Sequence, residues 1–235
     1  MSGLTAKEVP SIANAQELKL GDWQHMANAA IFNTMRILKR INPGDTYYEA
    51  YLQKFKKDGW EFFDTYHLLW NIGITLSPKR ILEIGSRTGI SICQLLSSYI
   101  DLSVVEKVVL VDPWDDGFIS PQLVRKNLHA LNLNPRRLET RQMKSDQYFG
   151  DIDQEPHFDF ILVDGDHTKA VAALDLDAAH VQLESGGIIV FDDISTSPGE
   201  CGLIDVWEAF KAQHKDEYTW AESMIGKGVA WALKN

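Results

Sequence analysis

Two short acidic segments in the second half of the sequence carry side chains that could hold a cation or move a proton. One reads Asp-Gly-Asp-His at positions 164–167, and the other is the pair Asp192-Asp193. Each directly follows a run of apolar residues that predicts a buried strand. If these strands are parallel neighbours, about 4.8 Å apart, Asp164 converges with Asp192 and Asp193 at the carboxyl edge of the sheet, where α/β folds bind ligands.

Three carboxylates that lie so close would repel one another unless a cation neutralises them. Because the ligand atoms are all oxygen, Asp164, Asp192 and Asp193 favour Mg²⁺ or another hard ion such as Mn²⁺ or Ca²⁺. A purely structural interpretation competes, since aspartate at a strand end often caps the next helix, and Asp166 could cap a helix that begins near His167. Three acids at two neighbouring strand ends favour the metal site.

The segment Arg80–Ser91, RILEIGSRTGIS, predicts a strand, a turn and a helix beside these acids. Gly85 permits a sharp exit from the strand with positive φ, and Gly89 lets the helix pack closely. A dinucleotide turn needs a further glycine between them, but position 87 is arginine. Glu83 is awkward beside phosphates and suits a ligand that carries an ammonium group, such as S-adenosylmethionine.

Asp112 ends a second predicted strand, Lys107–Val111, a little over 20 residues after the glycine turn. An acid at this point can accept hydrogen bonds from both hydroxyls of a ribose, in NAD and in S-adenosylmethionine equally. Trp114 follows it and has two interpretations, as a cover for an adenine face or as a core tryptophan.

The pattern Glu-x-Gly-x-x-x-Gly at 83–89 resembles motif I of the class I S-adenosylmethionine-dependent methyltransferases. The segments FDFILVDGDH and GGIIVFDDI, which end at His167 and Ile194, resemble the macrocin/novobiocin-type Mg²⁺-dependent O-methyltransferases of that class. The resemblance covers residues 80–194 and does not extend clearly over residues 1–75. It implies that the protein binds S-adenosylmethionine and Mg²⁺.

The resemblance also implies roles for individual residues. It assigns Mg²⁺ to Asp164, Asp192 and Asp193, and the general base to either Asp166 or His167. We favour His167, because a histidine with a near-neutral pKa is the better proton acceptor at pH 7, and we keep Asp166 as a cap or orienter. The expected cofactor contacts are Glu83, Gly85, Ser86, Gly89, Asp112, Ser145 and Asp164.

The order of predicted elements indicates an α/β fold with a doubly wound, Rossmann-like sheet, mostly parallel with an antiparallel C-terminal strand. Residues 1–78 are expected to form an N-terminal helical extension that serves as a substrate wall or dimer contact, and 79–235 the methyltransferase domain. The extension includes an apolar-striped helix at 22–41, a second from Thr46 and an aromatic-rich third over 60–75. A turn at 185–187 should precede the fifth strand.

Composition limits the partners. The formal net charge of -10 disfavours a nucleic-acid partner. No apolar run approaches the roughly 18 residues of a membrane helix, and the N-terminus lacks the apolar stretch of a signal peptide. We therefore expect a cytoplasmic protein that acts on a small molecule, without membrane association. Cys93 and Cys201 lack a metal-ligand spacing and are predicted to be unpaired thiols.

Three functions are compatible with these features. The leading one is Mg²⁺-dependent O-methylation of a hydroxyl on a sugar, a phenol or another natural product. The second is a nicotinamide-dependent Rossmann oxidoreductase, against which the incomplete glycine motif and the acidic cluster count. The third is a non-catalytic ligand-binding protein with the same pocket, which an activity assay would separate from the first.

Overall fold

The computed structural model describes residues 20–41, 65–115, 119–152, 157–196 and 201–235, together with positions 49, 53 and 117. Its helices are α1 (Leu20–Ile41), α2 (Thr65–Leu76), α3 (Ile90–Ser97), α4 (Pro121–Ala130), α5 (Ser145–Asp151), α6 (Lys169–Gln182) and α7 (Ile204–Gln213). Its strands are β1 (Arg80–Ile84), β2 (Lys107–Asp112), β3 (Leu138–Gln142), β4 (Phe158–Val163), β5 (Leu183–Asp192), β6 (Tyr218–Ser223) and β7 (Val229–Lys234).

The seven strands form one sheet in the order β3-β2-β1-β4-β5-β7-β6. The pairs among β1 to β5 are parallel, and β7 runs antiparallel to both β5 and β6. The predicted Rossmann-like fold is therefore confirmed, including its antiparallel C-terminal strand. Val163, the last residue of β4, pairs with Ile84 of β1 and with Phe191 of β5, so these three strands end at one edge of the sheet.

Successive side chains of a strand point to opposite faces of the sheet, so the core is divided into two clusters, one on each face. Ile81 and Leu110 pack on the face covered by α1, α2, α3 and α4. Leu82 and Val109 pack on the other face, under α5, α6 and α7. Because both faces are covered, the central strands are apolar almost throughout.

The N-terminal helices share the core with the sheet. In α1, Ile31, Thr34 and Leu38 of the predicted apolar stripe are buried, but Ile37 is 39% exposed. Met35 is buried instead, because it lies one helical turn from both Ile31 and Leu38. The predicted helix from Thr46 and the start of the third predicted helix, 60–64, lie outside the described residues, apart from positions 49 and 53.

Two boundaries differ from the sequence prediction. The expected turn at 185–187 is part of β5, where Leu183 pairs with Phe158 and Ile188 pairs with Phe160, so the intervening residues bulge out of the ladder. Helix α6 begins at Lys169 instead of near His167, because residues 166–168 form a capping turn. Within the described ranges, no helix combines the length and apolarity needed to cross a membrane.

Candidate active site

The turn after β1 brings the backbone of two strand ends into contact. Gly85 has φ 84°, and a Cβ there would lie 1.8 Å from the carbonyl oxygen of Asp164. Arg87 stands where a middle glycine is usual and still adopts positive φ, at 40°. Gly89 caps α3 with φ 70°. The turn thus keeps a glycine-type conformation without its middle glycine, and the positive φ predicted for Gly85 is confirmed. The close packing predicted for Gly89 is also present, since a Cβ there would lie 2.8 Å from Cγ1 of Val124.

Glu83 is a buried acid on β1 beneath this turn, with an exposed fraction of 1%. Neither carboxylate oxygen has a hydrogen-bond partner among the described residues. Burial raises the pKa of Glu83 well above its usual range, Ser86 and Ser91 partly offset this, and Asp164 and Asp112 add to it. The ammonium group of a ligand would donate hydrogen bonds to these oxygens and neutralise the negative charge of the carboxylate. Binding such an ammonium is the role expected for Glu83.

Asp112 lies at the end of β2 with its carboxylate held by backbone amides. Oδ2 accepts from the N–H of Arg87 at 2.8 Å, and Oδ1 accepts from the N–H of Trp114 at 2.7 Å. The Trp114 indole is 6% exposed, packs in the core and donates from Nε1 to the carbonyl of Arg87 at 2.7 Å. Of its two interpretations the structure supports the core tryptophan, which clamps the glycine turn to β2.

The acids after β4 and β5 meet as predicted. One carboxylate oxygen each of Asp164, Asp192 and Asp193 lie within 4.8 Å of one another. Burial, and next the charge of Asp164, raise the pKa of Asp192 to about 7. Burial also raises the pKa of Asp164. For Asp193 burial is outweighed by His167 and Lys227, which lower its pKa.

His167 contacts two of these acids. Its Nε2 lies 3.0 Å from Oδ2 of Asp193 and 3.6 Å from Oδ1 of Asp164. Asp164 and Asp193 raise the pKa of His167 to about 10. This differs from the near-neutral pKa expected from the sequence, because the two carboxylates favour the imidazolium form. With this pKa the imidazole of His167 is protonated at neutral pH, and its Nε2–H donates a hydrogen bond to Oδ2 of Asp193.

Two residues absent from the sequence prediction also reach the cluster. Lys227 Nζ lies 2.7 Å from Asp193 Oδ1 and 3.9 Å from Asp192 Oδ2. Thr65 Oγ1, at the start of α2, donates to Asp192 Oδ1 at 2.6 Å. No local sequence pattern indicated Lys227. The register of β7 on β5 places it, since Val229 pairs with Asp192 and the preceding residues must lie beside that strand end.

Two predicted residues make other contacts. The exposed Asp166 accepts from the N–H of Thr168 at 2.7 Å, and this hydrogen bond lowers its pKa. Thr168 is the N-cap residue of α6, so Asp166 orders the turn before the helix and is not its cap. Ser145 begins α5 and lies beside Asp175 of α6. Burial raises the pKa of Asp175 to about 6, and Ser145 partly offsets the shift. Asp175 is a further buried acid that the apolar pattern of its helix did not reveal.

The acidic cluster suits a hard cation by the chemistry of its donors. All three side chains offer carboxylate oxygen, the ligand type of Mg²⁺, Mn²⁺ and Ca²⁺. Oδ1 of Asp193 is buried and, within the described part of the chain, makes an ion-pair contact but no hydrogen bond of ordinary geometry. The donor set therefore fits a divalent ion.

Comparison with known sequences connects this geometry to a family. Residues 82–194 match the family described as a methyltransferase domain. Residues 82–194, slightly less than half of the chain, are therefore assigned to this methyltransferase family. The match includes Glu83, Asp112 and Asp164 and ends just after Asp193, so Thr65 and Lys227 lie outside it. No curated protein sequence matches the chain significantly.

Solved methyltransferase structures share the fold at low identity. The O-methyltransferase from Bacillus cereus in complex with SAH is 18% identical, with TM-score 0.56, over 85% of this chain and 91% of that one. Methyltransferase PaMTH1 from Podospora anserina, also SAH-bound, is 14% identical, with TM-score 0.57, over 98% and 100%. The O-methyltransferase TomG from Streptomyces achromogenes, in complex with SAM, is 19% identical, with TM-score 0.54, over 72% and 78%.

Proposed function

We propose that this methyltransferase transfers the methyl group of S-adenosylmethionine to a hydroxyl oxygen of a small molecule, with Mg²⁺ held by Asp164, Asp192 and Asp193. The observation that carries the proposal is the convergence of these carboxylates with His167 at the edge of the sheet beside the glycine turn. Two structural neighbours, from Bacillus cereus and Streptomyces achromogenes, are named O-methyltransferases, which supports oxygen as the acceptor atom.

The cofactor would lie along the ends of β1 and β2. Glu83 is the partner for its ammonium group, because the buried carboxylate has unused acceptors. Asp112 is the partner for its ribose hydroxyls, since two backbone amides fix the carboxylate and leave oxygen lone pairs for a ligand. Gly85, Ser86 and Gly89 form the wall of this site, and Ser145 is the proposed adenine contact. When bound, the cofactor supplies an electrophilic methyl group.

Asp164, Asp192 and Asp193 would hold the metal ion, which when bound acts as a Lewis acid on the acceptor hydroxyl. His167 is the proposed general base, because its Nε2 lies at the same carboxylates where that hydroxyl would approach. It can accept a proton only after the carboxylates that hold its pKa at about 10 are neutralised by another cation. Asp166 orients the segment that carries His167.

The N-terminal helices are the proposed source of acceptor contacts. Thr65 places the first turn of α2 directly on Asp192, which supports a role for this layer as a substrate wall. The division into an extension over 1–78 and a catalytic domain over 79–235, and the alternative role of the extension as a homodimer contact, stay predictions. The acidic net charge supports a small-molecule acceptor over a nucleic acid.

The test is a screen for release of S-adenosylhomocysteine with sugars, catechols and other phenols, in Mg²⁺ and in EDTA. We expect turnover with at least one hydroxyl acceptor, dependent on Mg²⁺ and lost in Asp192→Asn. Glu208→Gln, which removes a carboxylate from an exposed ion pair on α7, is the control and should retain activity. Turnover that is unchanged by EDTA would refute the metal role, and methylation restricted to amine acceptors would refute O-methylation.

A further inference from the structure

Lys227 is presented to the acidic cluster by a firmly held backbone. It lies in the turn between β6 and β7, where its carbonyl accepts from the N–H of Ser195 at 2.8 Å. The next carbonyl, of Gly228, accepts from the N–H of Ile194 at 3.2 Å, and a Cβ on Gly228 would lie 2.6 Å from the Ser195 nitrogen. The backbone of this turn is thus fixed against the segment that follows the metal-binding pair.

The side chain of Lys227 is free to leave the cluster. It is 57% exposed, although its ammonium contacts Asp193 at 2.7 and 2.9 Å and lies 3.9 Å from Asp192. A lysine has a flexible four-carbon stem, so the ammonium can rotate into water without movement of the anchored backbone. Because the ammonium is covalently attached beside the cluster, its effective concentration near the carboxylates is high whenever they bind no other cation.

The ammonium and a metal ion would require the same oxygen atoms. Lys227 contacts Oδ1 and Oδ2 of Asp193 and approaches Oδ2 of Asp192, two of the three proposed ligands. A divalent ion at these oxygens would lie within a few ångströms of a positive charge that remained in place, and two cations at that separation repel strongly. An ion that bound while the ammonium stayed in place would therefore lose affinity.

We infer that Lys227 is an internal competitor for the metal of this methyltransferase: its ammonium neutralises Asp192 and Asp193 when the site is empty and must swing out when the ion binds. The inference rests on the proposed metal-dependent function. Lys227 is thus a residue that sets metal affinity. It also keeps the buried acids paired while the metal is absent.

Calorimetric titration of Mg²⁺ into wild type, Lys227→Met and Lys169→Met tests the inference. Lys169 is the matched control, because it is 61% exposed and lies two residues after His167 in the sequence but pairs with Asp205 at 2.6 Å. We expect Lys227→Met to bind Mg²⁺ at least about tenfold more tightly than wild type, and Lys169→Met to change affinity less than about twofold. Equal affinity for wild type and Lys227→Met, or equal tightening in both variants, overturns the competition.

Amine labelling of the wild-type protein, read by mass spectrometry, tests the movement without any substitution. Saturating Mg²⁺ should increase the labelling rate of Lys227 and leave that of Lys169 unchanged. Unchanged labelling of Lys227 despite measured Mg²⁺ binding would show that the ammonium does not leave, and would overturn the inference while the proposed metal site stands. If neither wild type nor Lys227→Met binds Mg²⁺, the proposed metal site itself fails.

Discussion

Replacement of Glu83 by glutamine distinguishes the effect of this carboxylate on folding stability from its effect on cofactor affinity. The carboxylate is 1% exposed, and among the described residues neither oxygen makes a hydrogen bond of ordinary geometry. The hydroxyls of Ser86 and Ser91 offset the effect of burial on its pKa only in part. Because burial raises its pKa far above 4.5, the neutral acid is favoured when the ammonium of a cofactor is absent. Glutamine keeps the size and neutrality of that form but cannot pair with a positive charge.

The expected effects follow from this difference. Loss of one partner of a buried, charge-assisted hydrogen bond should cost about 2 kcal/mol of binding, which weakens the Kd for S-adenosylhomocysteine roughly thirtyfold. For folding, the raised pKa of Glu83 means that its contribution is fully present below about pH 4.5 and is lost as pH rises through the folded pKa. Glu83→Gln should lack this loss and be at least as stable as wild type at pH 8.

Calorimetric titration with S-adenosylhomocysteine and thermal unfolding at pH 5 and at pH 8, both above the unfolded pKa of Glu83, measure the two effects. Glu106→Gln is the control, since this acid is 58% exposed at the opposite end of the strands and its loss should leave Kd unchanged. A Kd for Glu83→Gln within about twofold of wild type would contradict the assigned ammonium contact.

Three further predictions concern other parts of the fold. In chemical denaturation, Gly85→Ala should lose at least about 2 kcal/mol of unfolding free energy, because the added Cβ would meet the Asp164 carbonyl. The control Gly186→Ala, where φ is 79° and the Cβ would meet no atom, should lose about 1 kcal/mol. Equal losses in the two variants would refute the close approach at Gly85. His167→Gln should lower kcat about 10²- to 10⁴-fold without weakening S-adenosylhomocysteine binding, and weakened binding would instead place His167 in the cofactor site. Burial lowers the pKa of His180 below 6.5, so its contribution to stability is present above pH 6.5 and is lost on acidification. In thermal unfolding, the Tm of His180→Gln should therefore fall less steeply with decreasing pH than the Tm of wild type. An unchanged slope would show that His180 does not cause the loss of stability in acid.

The strand ends of the site could be predicted from local sequence. Apolar runs that end in Asp112, Asp164 and Asp192 fix where parallel strands stop, and parallel register then forces these ends to one edge. The positive φ of Gly85 was readable in the same way, because a strand that turns sharply into a helix needs it.

Contacts made across the sheet were not readable from local sequence. Lys227 reaches Asp193 only through the antiparallel pairing of β7 with β5, and Thr65 reaches Asp192 from a helix 127 residues earlier. The high pKa of His167 likewise depends on the distances to two acids from different strand ends. Trp114 is buried because it packs against the glycine turn. No periodic pattern in its own segment predicts that contact.

Thermal unfolding with S-adenosylhomocysteine, compared with NAD, tests the central claim most directly. A ligand at 100 times its Kd adds about 2.7 kcal/mol to the stability of the folded protein, which for a chain of this size raises Tm by roughly 5 to 10 °C. S-adenosylhomocysteine should produce this shift in wild type and a smaller one in Glu83→Gln, while NAD should produce none. A shift with NAD and none with S-adenosylhomocysteine would contradict the account.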